Sequence, residues 1–208
     1  MPNLSRTSLV ATTGPVLVLL AIFASPLSGQ SSTTRGLNLA FHLQAAALSV
    51  EGGDADGGGG AGIRIGYGVN RIVNVFLQMD GTTINARSAP ELSGEWSMAH
   101  ADVGVRFHFA NSLRSWVPYL ELALGGRAVS ATNVTVGQGV LDDIRFNGGS
   151  FTLGGGIGAY FTQVLALDVG LKLSSGEFNE IEVGALALRN LSIDAQSSRL
   201  SVGLVWWP

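Results

Sequence analysis

The sequence lacks cysteine, has few charged residues and, beyond its first thirty positions, contains no long apolar run. The absence of cysteine from all 208 residues excludes disulfide bonds, thiolate metal sites and a cysteine nucleophile. Charged residues make up 13% of the chain, about half the share of a soluble globular domain. The net charge is −3 and there is no basic cluster, so we expect no nucleic-acid partner.

The first 29 residues have the pattern of a secretory signal peptide. Arg6 precedes a nine-residue apolar run at 16–24, and small and polar residues follow that run. The run is too short to cross a bilayer as a helix, and prolines on both sides argue against an uncleaved anchor. We therefore predict cleavage before Gln30 and a single mature domain over residues 30–208.

Apolar residues alternate with polar residues or glycine along eight segments of the mature chain. Such a period of two is typical of strands with one apolar face. The segments lie at residues 37–43, 63–69, 73–79, 103–109, 120–124, 151–161, 165–173 and 200–206. We predict most strands to be about 9–11 residues long, which is the length that a tilted strand needs to cross the hydrocarbon.

The connections between these segments differ in length. We predict short turns at residues 70–71, 111–115 and 162–163, and long polar loops at residues 45–60, 81–95, 130–149 and 174–191. Three short turns and four long loops are expected for eight membrane-crossing strands whose two ends lie in the periplasm. The long loops would then be extracellular.

Alternation alone fits a soluble, lipocalin-like barrel as well, and glycine separates the two possibilities. The less hydrophobic face is rich in glycine, for example at Gly62, Gly104, Gly154 and Gly170. Glycine on a water-facing side would only weaken the strands. In the lumen of a narrow barrel it leaves room for long side chains opposite. This pattern favours apolar side chains that point outward to lipid.

Aromatic residues cluster near the short turns and the C-terminus, where a membrane interface would lie. An ordinary preference of aromatics for strands is the alternative explanation. The predicted interface aromatics are Tyr67, Phe107, Phe109, Trp116, Tyr119, Tyr160, Phe161, Trp206 and Trp207. Together, these features predict an all-β, eight-stranded, antiparallel, up-and-down transmembrane β-barrel.

The export signal, the alternating segments and the aromatic last strand (SRLSVGLVWWP) resemble the small outer-membrane barrels of the OmpX, opacity-protein and OmpA-barrel kind. This resemblance covers the mature chain and implies a location in the cell outer membrane. It also implies that the outer-membrane assembly machinery recognises the last strand.

Charged residues occur on the predicted inward face, five of them basic and four acidic. Because an isolated buried charge is unfavourable by several kcal/mol, we expect them to pair. They are Arg64, Asp80, Asp102, Arg106, Glu121, Arg127, Asp168, Lys172 and Arg199. Such a lumen charge network either plugs the barrel or gates a narrow conductance.

The expected function is a structural or surface-interaction role through the four extracellular loops. A narrow gated channel is the alternative. A lipid-modifying enzyme is a further alternative, since His100 is close in sequence to Asp102, Ser93 and Ser97, but we expect no catalysis because such spacing is common. We expect no cofactor and no metal ion. The expected partners are the outer-membrane bilayer and the assembly machinery, and the expected state is a monomer.

Overall fold

The structure is a computed structural model of the chain. It describes residues 34–51, 53–85, 93–109, 115–136, 139–140, 143–184 and 186–208. The predicted signal peptide at residues 1–29 lies outside these ranges. Within them, no helix is long and apolar enough to cross a membrane.

Eight long strands and one short strand form a single antiparallel sheet. Their bounds are β1 Gly36–Val50, β2 Asp56–Gly68, β3 Val73–Ile84, β4 Ser93–His108, β5 Trp116–Val136, β6 Gly139–Val140, β7 Ile144–Tyr160, β8 Leu165–Val183 and β9 Leu186–Trp206. Each long strand pairs with the next long strand along the chain, and β9 pairs with β1. The sheet is thus a closed up-and-down barrel, in which β6 pairs only with the end of β5.

The strands are strongly staggered around the barrel. Starting at Leu39 and following directly paired residues once around the sheet leads back to β1 at Ser49, ten residues further along. The path runs through Ile65, Leu77, Val103, Leu124, Phe151, Ser175 and Gln196. Such a stagger requires the strands to tilt from the barrel axis. The ring closes the long edges of all the long strands except at residues 186–194 of β9, which pair with β8 alone.

The apolar side chains point outward. Leu43 and Leu124 are 62% and 63% exposed, whereas Gln78 and Asp102, which alternate with outward residues on β3 and β4, are buried. A soluble barrel has the reverse arrangement, because it buries its apolar side chains. The predicted transmembrane orientation is therefore confirmed.

The two fully described turns at one end agree with their predicted positions. At the β2–β3 turn, Oδ1 of Asn70 accepts hydrogen bonds from the backbone N–H groups of Ile72 (2.8 Å) and Val73 (2.9 Å). At the β7–β8 turn, Oγ1 of Thr162 accepts from Leu165 at 3.0 Å. These side chains replace missing backbone partners, as expected of turn-forming residues. We call this the turn end of the barrel and the opposite end the loop end.

The prediction of four long loops is wrong in its lengths. Residues 45–48 of β1 pair with residues 56–59 of β2, within the predicted loop at 45–60. Likewise, β8 and β9 continue to Val183 and Leu186 through most of the predicted loop at 174–191. The polar, glycine-rich composition of these segments gives no apolar alternation, although their backbones still pair. The strands are 12–21 residues long, apart from β6, and extend beyond the length needed to cross the hydrocarbon.

Candidate functional site

All nine predicted lumen charges lie inside the barrel. Their exposures range from 0% for Arg199 to 8% for Asp168. Each belongs to a long strand and lies at one of the alternate positions whose side chains are predicted to point into the lumen. The charges form two neighbouring groups at different heights in the lumen.

The first group, nearer the turn end, is centred on Arg106. Its Nε donates to Oε2 of Glu121 at 3.0 Å, and its Nη1 donates to Oδ2 of Asp168 at 2.7 Å. The Arg106–Glu121 contact is a direct cross-strand pair between β4 and β5. Glu121 also contacts Lys172 at 2.9 Å and Arg64 at 3.8 Å. We call these five residues the turn-side network; it contains three cations and two carboxylates.

The second group, nearer the loop end, is centred on Arg199. Its guanidinium contacts Oδ2 of Asp80 at 2.5 Å and Oδ2 of Asp102 at 3.0 Å, and it donates to Oγ of Ser174 at 2.8 Å. Nε2 of His42 lies 2.7 Å from Oδ1 of Asp80. We call these residues the loop-side network. Its central guanidinium is fully buried and is stabilised by two charge-assisted contacts.

Gln78 joins the two networks. Its Oε1 accepts from Nε of Arg64 at 2.9 Å and from Nζ of Lys172 at 2.5 Å, and its Nε2 donates to Asp80 at 2.8 Å. Gln78 is not among the predicted lumen residues, because that prediction covered only charged side chains. The sequence does indicate that Gln78 faces the lumen, because it lies at an alternate position of β3 between Phe76 and Asp80.

Arg127 differs from the other lumen cations. Among the described residues it has no carboxylate within salt-bridge distance, and it donates instead to the backbone oxygen of Ala195 at 2.9 Å and to Oγ of Ser197 at 3.3 Å. Its guanidinium carbon lies 4.9 Å from the ring centre of Phe178, within cation–π range. Arg127 thus marks the boundary between the loop-side network and the apolar residues above it.

Glycine provides the space that these side chains occupy. A Cβ atom at Gly62 would overlap Asp80 and His42, and one at Gly154 would overlap Glu121. The interpretation of glycine as space for lumen side chains is confirmed at these positions. A larger residue would displace a buried ion pair.

Apolar clusters close the polar lumen at both ends. The loop-end cluster consists of Ala46, Leu48, Ile84, Met98, Val129, Phe178 and Ala195. The turn-end cluster consists of Val117, Tyr160, Ala166, Val205 and Trp207. Charged groups therefore fill the middle of the barrel, and apolar side chains separate them from the water at either end.

The aromatic prediction is wrong for three residues. Tyr119, Tyr160 and Trp207 are only 3–4% exposed and point into the lumen. Closeness to a turn indicates how far along the barrel axis a residue lies, but not whether its side chain points to lipid or to the lumen. Trp206 and Trp207 are consecutive, so their side chains point to opposite sides of the sheet. Outward, exposed positions are occupied by Tyr67, Phe109, Trp116, Phe161 and Trp206, and Phe107 is half-buried. A membrane-interface role for these six stays a prediction.

Tyr119 has a different role from the predicted one. Its hydroxyl donates to Oδ1 of Asp168 at 2.9 Å, and Arg106 stacks on its ring with the guanidinium carbon 3.5 Å from the ring centre. A Cβ atom at either Gly156 or Gly170 would overlap this hydroxyl. Tyr119 is thus a neutral component of the turn-side network.

The serines and the aspartate close to His100 in sequence do not form the arrangement of a serine hydrolase. Ser97 is exposed on the outer face, whereas His100 is buried in the lumen. Asp102 contacts Arg199 instead of orienting the histidine. The side chain of Ser93 lies outside the described residues. Catalysis would require the nucleophile, base and acid to be in contact and accessible, and these three described residues are not.

The two ends of the barrel have opposite charge. At the loop end, nine described acidic residues accompany only two basic residues, Arg145 and Arg189. The acidic residues are Glu51, Asp54, Asp56, Glu95, Asp143, Glu177, Glu180, Glu182 and Asp194. At the turn end, the described residues include Arg35 and Arg71 and no acidic residue. The loop end is therefore a strongly acidic surface.

Comparison with protein families gives a match that spans residues 15–205 to the outer membrane protein beta-barrel domain. The chain belongs to this family. It is accordingly an integral protein of the Gram-negative type of outer membrane and contacts the lipid bilayer through its outward apolar face. A comparison with curated proteins finds no significant match.

Solved outer-membrane barrels have the same fold at low sequence identity. Neisserial surface protein A is 16% identical with a TM-score of 0.60, over 82% of this chain and 96% of that one. The attachment invasion locus protein Ail of Yersinia pestis is 13% identical with a TM-score of 0.53, over 83% and 100% of the two chains. A major outer membrane protein from Thermus thermophilus is 11% identical with a TM-score of 0.50, over 81% and 98%.

Proposed function

We propose that this outer-membrane barrel is a surface-interaction protein whose extracellular loop end binds a cationic partner. The observation that supports this proposal is the segregation of charge, with nine acidic residues and two basic residues described at the loop end. One of those basic residues, Arg189, already contacts Glu180 at 2.7 Å. In outer-membrane barrels the short turns are periplasmic and the projecting hairpins are extracellular, so this acidic surface would face the medium.

The hairpin of β8 and β9 adds apolar contacts to the acidic surface. Leu186 and Leu188 are 75% and 62% exposed near its tip, beyond the strand length needed to cross the membrane. Glu180 and Glu182 lie on the same hairpin. Carboxylates attract a basic partner over roughly the 8–10 Å Debye length, and exposed leucines provide contact area when it arrives. A basic protein segment with apolar residues fits this combination.

The filled lumen argues against the alternative of a narrow channel. An ion would have to pass the loop-end cluster, two ion-pair networks and the turn-end cluster. Eight-stranded barrels are usually filled by side chains in this way. The proposal therefore places the function at the loop end and gives the lumen a stabilising role.

The remaining expectations concern biogenesis and assembly. We propose that the assembly machinery recognises the last strand, which ends in Trp206-Trp207-Pro208. We also propose a monomer, since the ring closes on itself and only residues 186–194 of β9 have a long edge open for pairing with a second copy. Cross-linking in outer-membrane vesicles tests the monomer directly.

Binding of a labelled oligolysine peptide to the barrel in phosphatidylcholine nanodiscs tests the cationic partner. Substituting Glu51→Gln and Glu182→Gln should weaken binding about two- to fivefold per charge, and added salt should weaken it further. Arg145→Gln, at the same end, is the matched control and should strengthen binding.

A polyanion provides the opposite test. Ail has been crystallised in complex with the heparin analogue sucrose octasulfate. The acidic loop end of this chain should repel that anion. If sucrose octasulfate binds at the loop end while oligolysine does not, the proposal is wrong.

A further inference from the structure

The mouth of the barrel at the loop end encloses a cavity of about 470 Å³. Each of the eight long strands contributes at least one residue to its lining: Leu48 and Val50, Asp56, Ile84, Trp96, Val129, Phe146, Phe178 and Ile193. This volume lies within the range typical of small-molecule sites. Because every strand takes part, the closure of the barrel itself forms the cavity, which we call the mouth cavity.

The walls of the mouth cavity are largely apolar and closely packed. Phe146 and Phe178 lie with their ring centres 5.8 Å apart, and Phe178 is almost fully buried. Met98 and Ala195, both 1% exposed, belong to the same apolar cluster. Arg127 contacts the Phe178 ring from the side of the loop-side network. The cavity is thus separated from the charged lumen, so that a ligand would enter and leave at the loop end.

Polar side chains at the mouth restrict the chemistry of a ligand. The ring of Trp96 lines the cavity, with its Nε1 buried and out of a ligand's reach. Asp54 and Asp56 also line the cavity. Their carboxylates disfavour a carboxylate or phosphate in the same space.

From these observations we infer that the mouth cavity binds an uncharged amphiphile with an alkyl chain and a hydroxyl head, such as a long-chain alcohol. The alkyl chain packs against Leu48, Ile84 and Phe178, and the hydroxyl donates to the carboxylate of Asp54 or Asp56. This site is distinct from the acidic surface proposed to bind a cationic partner, since it requires enclosed apolar walls.

Tryptophan fluorescence can detect the ligand where it is proposed to bind. A variant that keeps Trp96 and carries Trp116→Phe, Trp206→Phe and Trp207→Phe is placed in phosphatidylcholine nanodiscs and titrated with bromine-labelled dodecanol. Bromine quenches a nearby indole. We expect quenching of Trp96 to saturate at one probe per barrel.

A second single-tryptophan variant separates binding from partition into lipid. It keeps only Trp116, which is exposed on the outer surface, and its quenching should rise with the probe-to-lipid ratio without saturating. If Trp96 behaves in the same way, the probe only dissolves in the bilayer and the inference is wrong.

The head group is tested with the carboxylate of the same chain length. At neutral pH it should bind about tenfold more weakly than the alcohol, and Asp54→Asn should reduce this difference. Equal affinity for the two probes would overturn the assigned ligand chemistry.

Calorimetry with all tryptophans in place covers the case in which the triple substitution does not fold. Val50 lines the mouth cavity, and Val50→Phe should weaken dodecanol binding about tenfold or more by occupying the space. Val75→Phe is the matched control because Val75 faces outward, and it should leave binding unchanged. Equal affinities for these two variants would also overturn the inference.

Discussion

Replacing Glu121 with glutamine removes one negative charge from the turn-side network with almost no change in side-chain volume. Glu121 is 1% exposed and accepts the Arg106 contact at 3.0 Å and the Lys172 contact at 2.9 Å. In the variant, only Asp168 remains to balance three cations within this network. Breaking a buried ion pair from one side lowers the free energy of unfolding by about 3–5 kcal/mol, and we expect Glu121→Gln to fall in this range.

Urea titration of the barrel in phosphatidylcholine vesicles measures this free energy, with the folded fraction read from the gel shift of unboiled samples. Glu182→Gln, at the exposed loop end, is the matched control and should change the free energy by less than about 0.5 kcal/mol.

A double variant tests whether the loss is electrostatic. Combining Glu121→Gln with Lys172→Met removes one charge of each sign and restores the original balance. We expect the double variant to be more stable than Glu121→Gln alone, because one unpaired buried cation has been removed. A loss below about 1 kcal/mol for Glu121→Gln would refute the reasoning, because the lumen charges would then be solvated and not mutually paired.

Three further predictions concern packing, side-chain orientation and proximity to lipid. Gly156→Ala should lower the free energy of unfolding by about 1–3 kcal/mol, because its Cβ would overlap the Tyr119 hydroxyl. Gly149→Ala, with open space around its Cβ position, should change that free energy little, and the same urea titration compares the two variants. Brominated lipid tails should quench a single-tryptophan variant that keeps Trp206 but not one that keeps the lumen-facing Trp207; equal quenching would contradict the assigned orientations. Tyr119→Phe should destabilise the barrel by about 1–3 kcal/mol, since Asp168 loses a hydrogen bond, while Tyr67→Phe on the outer face should not; thermal unfolding would show the difference.

The membrane-crossing part of the fold could be predicted from the sequence because lipid imposes a strict rule on it. One face must be apolar at every second position, so the strands at residues 63–69 and 73–79 and the turn between them are evident. The inward charges follow from the same parity. Arg106 and Glu121 could even be expected on adjacent strands, since only seven residues separate β4 from β5, and the two residues pair directly.

The loop end could not be predicted in the same way. Beyond the bilayer both faces of a strand meet polar surroundings or the cavity, so residues 56–60 carry no alternation although their backbones pair. Register irregularities, such as the one between Phe178 and Glu180, also change which side chains share a face. Phe178 therefore lies in a predicted loop and Trp96 lies between a predicted loop and the next predicted strand. The mouth cavity that they line depends on contacts between strands distant in sequence.

Planar-bilayer conductance of the purified, folded barrel tests most directly whether its function lies at the loop end and not in the lumen. Because apolar clusters lie at both ends of an interior filled by charged side chains, we predict no resolved steady current after insertion. The gel shift of unboiled samples verifies that the barrel is folded. A steady, ohmic single-channel current from the wild-type barrel would contradict the account and identify the lumen as a functional path.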